Sequence, residues 1–269
     1  NSILDPLFIY PFDMGIRGAA IATILSQTVA LVWQIRLFSD KGELLHLKRG
    51  IYRLDNIIVK NILGIGISPF AMNATACLVA IFVNQRLLEY GGDLAVGAFG
   101  IANRVAFIFI MINFGVNQGM QPIAGYNYGA QNYDRLMRVL KLAMIAGTCI
   151  TTSGFLVAEF IPHICVRLFT SDSELTELSV NGLRIMMAAM PIVGYQMIVT
   201  NFFQSIGKAK ISIFLSLSRQ LLFLVPLIGV MPLFFGVNGV WVAMPISDSF
   251  SAIFALVMMV RYMRVFKKR

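Results

Sequence analysis

Seven apolar runs, each long enough to cross a lipid bilayer, constrain what this chain can fold into. An α-helix rises about 1.5 Å per residue, so about 20 residues cover the roughly 30 Å of bilayer hydrocarbon. The runs comprise residues 18–38, 62–88, 94–118, 139–161, 183–206, 211–234 and 237–260. Residues 1–12 are typical of the second half of one more span. The sequence therefore predicts an all-α, polytopic bundle of transmembrane helices.

The composition excludes several classes of protein. Hydrophobic residues make up 58% of the chain, charged residues make up 13%, and the mean hydropathy is +0.76, which is far too apolar for a soluble domain. The net charge of +9 does not indicate nucleic-acid binding, because the basic residues occupy short connectors and not a solvated face. Cysteine and histidine spacings indicate no metal site, and no HExxH, GxSxG or paired-acid pattern indicates an enzyme. We expect neither enzymatic activity nor a bound cofactor.

Lysine and arginine alternate between the two sets of connectors. Of the 22 lysines and arginines, 16 lie in four segments. These segments are the 39–60 linker with its edge, the residues just after 133, the connector between residues 206 and 211, and the C-terminus. Cytoplasmic connectors are enriched in both residue types, so we expect these four segments to face the cytoplasm. Because Arg135, Arg138 and Lys141 recur every three residues, residues 134–141 are predicted to lie along the membrane surface.

The segment GMQPIAGYNYGAQNY, residues 119–133, lies between two predicted spans and is called the hinge segment here. Pro122 is expected to break the helix, while glycines allow close backbone approach and the amides and phenols can bond the freed peptide groups. The hinge segment is therefore interpreted as kinked, polar backbone covered by protein or by a wet cavity. An ordinary loop rich in turn residues is an equally weighted alternative.

Two parts of the chain share an internal pattern. Residues 15–27, GIRGAAIATILSQ, align with residues 236–248, GVNGVWVAMPISD, with two glycines, an alanine and a serine at identical spacing. Both segments open spans that run in the same direction, which predicts parallel repeats. The span at residues 18–38 is then the last of one repeat, and residues 62–260 form a complete second repeat. We therefore expect the chain to be a fragment of a longer transporter.

Several motifs carry a family resemblance. They are ILDPLFI, GIRGAAIATILSQ, YGGDLAVGAFGIANR, the hinge segment, FFQSIGKAK, and SRQLLFLVPL running on to GVNGVWVAMPISD. These stretches resemble the multidrug and toxic compound extrusion (MATE) family, and its DinF- and MepA-like branches more than its NorM-like branch. The resemblance implies twelve spans in two six-span lobes, and export of cationic, amphipathic drugs in exchange for sodium ions or protons. Residues 1–38 would end the N-terminal lobe, 39–61 form a cytoplasmic linker, 62–260 form the C-terminal lobe and 261–269 a basic tail.

A coupling-ion site is predicted near the start of the chain. Asn1 and Asp5 are spaced i, i+4 on one helix face, and Thr23 returns in the next span at a similar depth. A carboxylate, an amide and a hydroxyl form an oxygen-rich set suited to a hard cation or a proton. The resemblance implies a cation site of this kind in the N-terminal lobe, with a further first-span aspartate that this sequence lacks. The alternative is that Asp5 caps a helix next to Pro6.

Other polar residues within the spans are predicted to line the substrate cleft or take part in gating. They are Asn73, Arg104, Gln118, Gln121, Pro122, Asn127, Gln204 and Asp248. Asp248 is expected to pair with Arg219 or Arg104, since an unpaired buried charge is costly, although proton acceptance or attraction of a cationic substrate stays open. No acid follows Pro69, which argues against a NorM-type sodium site in the C-terminal lobe.

The sequence as a whole predicts a cation-coupled antiporter that works by rocking two lobes about a cleft. We expect a monomer in a bacterial cytoplasmic membrane, with the lipid bilayer and cationic amphipathic small molecules as its partners and with no nucleic-acid partner. The alternatives are a flippase for lipid-linked sugars, which would need several basic residues facing the cleft, and an inactive truncated fragment.

Overall fold

The computed structural model describes residues 2–40, Gly42, His46 and 54–266, and its regular structure there is entirely helical. The helices are α1 (Leu4–Ile9), α2 (Gly15–Ser39), α3 (Asn56–Gly129), α4 (Tyr133–Phe160), α5 (Pro162–Arg167), α6 (Ser173–Met187), α7 (Met190–Ser205), α8 (Ala209–Leu217), α9 (Val225–Phe235) and α10 (Val237–Phe266), with a π-helical segment, Ser218–Leu224, between α8 and α9. Packing divides the chain into two compact units, Asn1–Ile62 and Leu63–Arg269, which are described separately.

The first unit is a short helix packed on a long one. A turn with positive φ at Asp13 and Gly15 reverses the chain between α1 and α2. Gly18 is buried at the contact, where an added Cβ would lie 2.9 Å from the carbonyl oxygen of Phe8. The small residue therefore allows α1 to approach the backbone of α2 closely. At 25 residues, α2 is long enough to cross a bilayer, as its run predicts.

Helix α3 supplies two crossings that meet at Gly92. Its 74 residues would extend about 110 Å as one straight rod, far beyond the thickness of a bilayer. Gly92 interrupts the helical backbone with φ 64° and ψ −166°, a conformation that only glycine adopts easily. The break lies between the predicted runs 62–88 and 94–118, so the structure confirms that these are separate spans.

The remaining crossings follow the predicted runs with altered ends. Helices α6 and α7 form one bent crossing with an angle of 51° just before Pro191, so the crossing starts ten residues before the predicted run at 183. The segment from α8 through α9 and the helix α10 each cross once. With α3 counted as two crossings, the described residues contain seven, which agrees with the seven runs.

The second unit is held together by tight helix packing. Helix α4 lies directly against α7, where an added Cβ at Gly194 would lie 2.6 Å from the carbonyl oxygen of Gly147. One apolar cluster around Trp241 joins α3, α6 and α10, and a second around Phe203 joins α4, α7 and α10. Small residues at the contact between α4 and α7 and the two apolar clusters thus fix the arrangement of the crossings.

One expectation about the hinge segment and one about the residues directly after it are wrong. Helix α3 continues through Pro122 to Gly129 without a break, and the turn occurs at residues 130–132, where Gln131 has φ 57°. A proline removes only one hydrogen bond, which a long membrane helix tolerates. Residues 134–141 form the first turns of the continuous 28-residue helix α4 and not a separate surface helix. The side chain of Asn132 caps this helix by accepting a hydrogen bond from the backbone N–H of Arg135.

Candidate functional site

An ion pair joins two crossings inside the second unit. The Nε atom of Arg219 donates to Oδ1 of Asp248 at 2.6 Å. The Arg219 side chain is 31% exposed and that of Asp248 is 12% exposed. The structure thus confirms the predicted pairing and identifies Arg219 as the partner. Arg104 is exposed and takes no part in the pair.

A π-helical turn positions Arg219. In the segment Ser218–Leu224 the backbone N–H of Val225 donates to the carbonyl oxygen of Gln220, five residues earlier. Pro226 follows immediately. In a regular α-helix its ring would clash with the carbonyl group four residues before it, and this favours the wider π-helical turn. The carbonyl oxygen of Arg219 accepts a hydrogen bond of 2.7 Å from Oγ of Ser247 on α10. The backbone and the side chain of Arg219 are therefore both tied to α10.

The ion pair borders a cavity of about 380 Å³ within the second unit, which falls within the roughly 300–1,000 Å³ range of small-molecule pockets. Its polar lining consists of Asn103, Arg219, Gln220 and Asp248. The Oε1 atom of Gln220 is buried and has no hydrogen-bond partner among the described residues. Three of the four polar lining residues thus belong to the ion pair or adjoin it in sequence.

The rest of the cavity wall is apolar and rich in methionine. Three methionines and two phenylalanines line it together with smaller aliphatic residues; they are Met186, Met190, Met244, Phe99 and Phe107. Methionine has three rotatable bonds and a polarizable sulfur, so such a wall can adapt to ligands of different shapes. The cavity therefore combines an adaptable apolar wall with a charged but internally neutralised end.

Asp248 is the one predicted cleft or gating residue that lines this cavity. The other seven lie elsewhere on the second unit. Asn73, Arg104, Gln118 and Pro122 are exposed, Gln121 and Gln204 are half-buried, and Asn127 is buried. Their roles in a cleft or in gating stay predictions.

Buried amides make hydrogen bonds both within a helix and between helices. The Nδ2 atom of Asn127 donates to the carbonyl oxygen of Ile123 at 2.8 Å, within its own helix. Asn113 on α3 reaches the sulfur of Met197 on α7 at 3.5 Å. The Nε2 atom of Gln196 donates to Oγ of Ser251 on α10 at 2.7 Å, and both side chains are buried. The contacts of Asn113 and Gln196 thus join neighbouring helices, whereas that of Asn127 stays within α3.

In the first unit, the proposed coupling residues fall on two packed helices. Asp5 lies on α1 and Thr23 on α2, while Asn1 lies outside the described residues. The Oδ1 atom of Asp5 is buried and accepts no hydrogen bond among the described residues. Thr23 donates from Oγ1 to the carbonyl oxygen of Ala19 at 2.9 Å, and a hydroxyl oxygen that donates can also accept. An orphaned buried carboxylate oxygen fits a site for a proton or a hard cation.

Sequence reasoning missed most of the cavity. Pro226 is the one residue in the sequence that indicates the π-helical turn and the unpartnered amide oxygen of Gln220 within it. A proline forces the helical turn before it to adjust. The three cavity methionines had no signal, since methionine suits lipid-facing surface equally well.

Comparison with known proteins identifies the family to which this fold belongs. A sequence profile of the MatE family matches residues 65–228, more than half of the chain. The chain belongs to the MatE family. This confirms the resemblance found in the motifs. The matched region of the MatE chain runs from α3 into α9, and it includes the whole hinge segment and Arg219.

Individual relatives agree with the assignment. The multidrug export protein MepA of Staphylococcus aureus (strain N315) is 26% identical over 256 residues, which cover 95% of this chain and 56% of MepA. The structure of the MATE multidrug transporter DinF-BH is 35% identical, with a TM-score of 0.85, and the match covers 98% of this chain and 59% of that one. A crystal structure of MATE in complex with MaL6 has the same fold, with 23% identity, a TM-score of 0.89 and coverage of 99% and 61%. The MatE chain thus spans little more than half the length of these relatives. The relatives are transporters and not enzymes.

Proposed function

We propose that this MatE chain forms part of an antiporter that exports cationic, amphipathic drugs across a bacterial cytoplasmic membrane in exchange for sodium ions or protons. The observation that carries the proposal is the cavity of about 380 Å³ whose apolar, methionine-rich wall ends at the Arg219–Asp248 ion pair. An apolar pocket with a few convergent polar groups is the usual form of a small-molecule site. The family membership and the multidrug relatives support this interpretation.

The ion pair suits a pocket that binds a cation reversibly. Arg219 neutralises Asp248 when no ligand is bound, so the carboxylate is not left as an isolated charge in the membrane. A drug cation would compete with the guanidinium for Asp248, while its rings would contact the methionines and phenylalanines. Binding would then depend on shape only weakly, as broad drug export requires.

The coupling ion is proposed to bind in the first unit, at Asp5 and Thr23, with Asn1 as a third ligand. The orphaned Oδ1 of Asp5 supports this, because a buried carboxylate oxygen without a donor is costly unless a proton or a cation satisfies it. When bound, the ion would supply the charge that neutralises Asp5. The residues of the chain would orient the oxygens around it and exclude lipid.

Export further requires two states in which access alternates between the sides of the membrane. We propose that two lobes rock about a cleft, and that ion binding changes the relative free energies of the two states. The alternation of basic residues supports an orientation with the linker, the hinge segment and the C-terminus in the cytoplasm.

The experiment that tests the function is efflux of a cationic dye such as ethidium from cells that express the chain together with all of the sequence that flanks it in its gene. A sodium gradient is applied or withheld at a fixed proton gradient. Efflux that depends on sodium identifies the coupling ion as sodium, and efflux that an uncoupler abolishes regardless of sodium identifies a proton. No efflux of any cationic dye in either condition overturns the proposal.

A flippase for lipid-linked sugars is the weaker candidate. A pyrophosphate headgroup would need several unpaired basic side chains facing the cleft. Of the two arginines deep within the predicted spans, Arg219 is engaged by Asp248, which leaves Arg104. One remaining arginine is a poor match for such a headgroup.

A further inference from the structure

A second pocket lies at the end of α4 that is distant from the hinge segment, between α5 and α6. Its volume is about 680 Å³, and it opens at the surface beside the end of a transmembrane helix. The pocket is lined by four hydroxyl side chains between residues 170 and 176 and by charged and polar residues from both helices. This α5–α6 pocket shares no lining residue with the 380 Å³ cavity.

Helix α5 is a single short element with three different faces. Pro162 and Val166 are buried against the rest of the unit. Ile164 and Leu168, the residue directly after the helix, are spaced four residues apart and are 62% and 79% exposed. A third face carries His163 and Arg167, which are likewise four residues apart and line the α5–α6 pocket.

This three-faced pattern is typical of a helix that lies at the membrane–water boundary. The apolar face would dip into the acyl chains, and the polar face would remain at the level of the lipid headgroups. Phe160, the last residue of α4, is 77% exposed immediately before it and extends the same apolar surface. The α5–α6 pocket therefore lies where a phospholipid headgroup would be.

The charges in the pocket are of both signs and do not pair with one another. Arg167 and Glu177 both line it, yet no ion pair joins either of them to any described residue. Opposite charges that share a pocket without contact leave room for a ligand that carries both charges. Arg184 is held at the pocket edge by a 3.0 Å hydrogen bond from Nη2 to the carbonyl oxygen of Glu159.

The acidic neighbours make an anionic ligand the poorer fit. Asp172 caps α6, since its Oδ1 atom accepts hydrogen bonds from the backbone N–H groups of Glu174 and Leu175. The carboxylate of Glu177, which pairs with no cation in the part of the chain that the structure describes, would repel a ligand with a net negative charge. A ligand with a phosphate and a nearby cationic donor would satisfy Arg167 and Glu177 together.

We propose that the α5–α6 pocket binds the headgroup of a zwitterionic phospholipid with a primary ammonium, of the phosphatidylethanolamine type. Arg167 and the surrounding hydroxyls hold the phosphate oxygens. Glu177 and the amide oxygen of Asn181 accept hydrogen bonds from the ammonium. The acyl chains lie against the exposed faces of Ile164 and Leu168.

The test is native mass spectrometry of the purified protein, expressed with all of its flanking sequence, after exchange into detergent that contains one lipid at a time. The probes are phosphatidylethanolamine, phosphatidylglycerol and phosphatidylcholine with identical acyl chains. We expect phosphatidylethanolamine to be retained about tenfold more strongly than phosphatidylcholine, because one charge-assisted hydrogen bond corresponds to about a decade in affinity. Equal retention of the three lipids, or a preference for phosphatidylglycerol, overturns the proposal.

Two variants and a matched control assign the contacts. Glu177→Gln is expected to remove the preference for phosphatidylethanolamine over phosphatidylcholine while retaining binding of both. Arg167→Gln is expected to weaken the binding of phosphatidylethanolamine and of phosphatidylcholine by about tenfold each, because the contact with the phosphate is lost. Glu174→Gln changes an exposed carboxylate on the same helix that does not line the pocket, and it should leave all three lipids unchanged. A preference that survives in Glu177→Gln overturns the proposal, and no outcome depends on drug export.

Discussion

Arg219 and Asp248 form an ion pair between two neighbouring crossings, with 2.6 Å between Nε and Oδ1. The guanidinium belongs to a π-helical turn, and the carboxylate lies one residue after Ser247, which bonds the carbonyl oxygen of the same arginine. These two contacts join the segment Ser218–Leu224 to α10 through both the side chain and the backbone of Arg219. Both charges are placed where a lone charge would be unfavourable in a membrane.

The first prediction concerns this pair. Asp248→Asn leaves the guanidinium without its counter-charge and should lower the free energy of unfolding by about 3 kcal/mol. The double variant Arg219→Gln/Asp248→Asn removes both charges and should be more stable than Asp248→Asn alone. Thermal unfolding in detergent micelles of the parent, of Asp248→Asn, of Arg219→Gln and of the double variant completes a double-mutant cycle. A double variant that loses the sum of the two single losses would show that the side chains do not interact.

The sequence predicted this pair because a charge buried in a membrane needs a partner, and only two arginines lie deep in the spans. It could not choose between Arg104 and Arg219, since that choice depends on how the crossings pack. The number of crossings was also predictable from the sequence, because the thickness of the bilayer hydrocarbon fixes the length of an apolar run that spans it.

The helix ends and bends were harder to predict. Pro122 indicated a break that α3 does not make, whereas Gly92, a glycine in a Tyr-Gly-Gly-Asp turn, makes the break that divides α3. A proline affects one hydrogen bond, but a positive φ forces the chain to change direction. The basic spacing at residues 134–141 indicated a surface helix, yet nothing interrupts α4 between these residues and its apolar part.

The second prediction concerns the hydrogen bond between Gln196 and Ser251. Both side chains are buried, and Nε2 of Gln196 donates to the serine Oγ at 2.7 Å. Ser251→Ala leaves the amide without an acceptor and should cost about 1–3 kcal/mol of stability. Thermal unfolding in detergent is the measurement.

A matched serine provides the control. Ser153 is exposed and bonds the carbonyl oxygen of Ile150 in its own helix. Ser153→Ala should therefore change the stability by less than about 0.5 kcal/mol. Equal effects of the two substitutions would argue that the link between α7 and α10 is unimportant.

The third prediction tests the close contact of α4 and α7. A Cβ at Gly194 would overlap Thr151 Oγ1 and lie 2.6 Å from the carbonyl oxygen of Gly147. Because backbone cannot move aside as a flexible side chain does, Gly194→Ala should separate the helices and destabilise the protein by about 1–3 kcal/mol. Gly119→Ala in the hinge segment is the control, since a Cβ there meets nothing within 4 Å. We expect Gly119→Ala to fold like the parent, and similar losses in both variants would refute the packing argument.

The fourth prediction concerns Asp5, whose buried Oδ1 has no hydrogen-bond partner among the described residues. If this carboxylate carries the coupling ion, Asp5→Asn should abolish ion-driven dye efflux while leaving the amount of protein in the membrane unchanged, because an asparagine has the same size but cannot take a proton or balance a cation. Asp13→Asn is the matched control. Asp13 is exposed and has φ 49°, a conformation that asparagine adopts readily. Dye efflux by the Asp13→Asn variant should therefore match that of the parent. Normal efflux by Asp5→Asn would show that the ion is coupled elsewhere, whereas loss of efflux in both variants would point to damage of the α1–α2 turn and not to a lost coupling site.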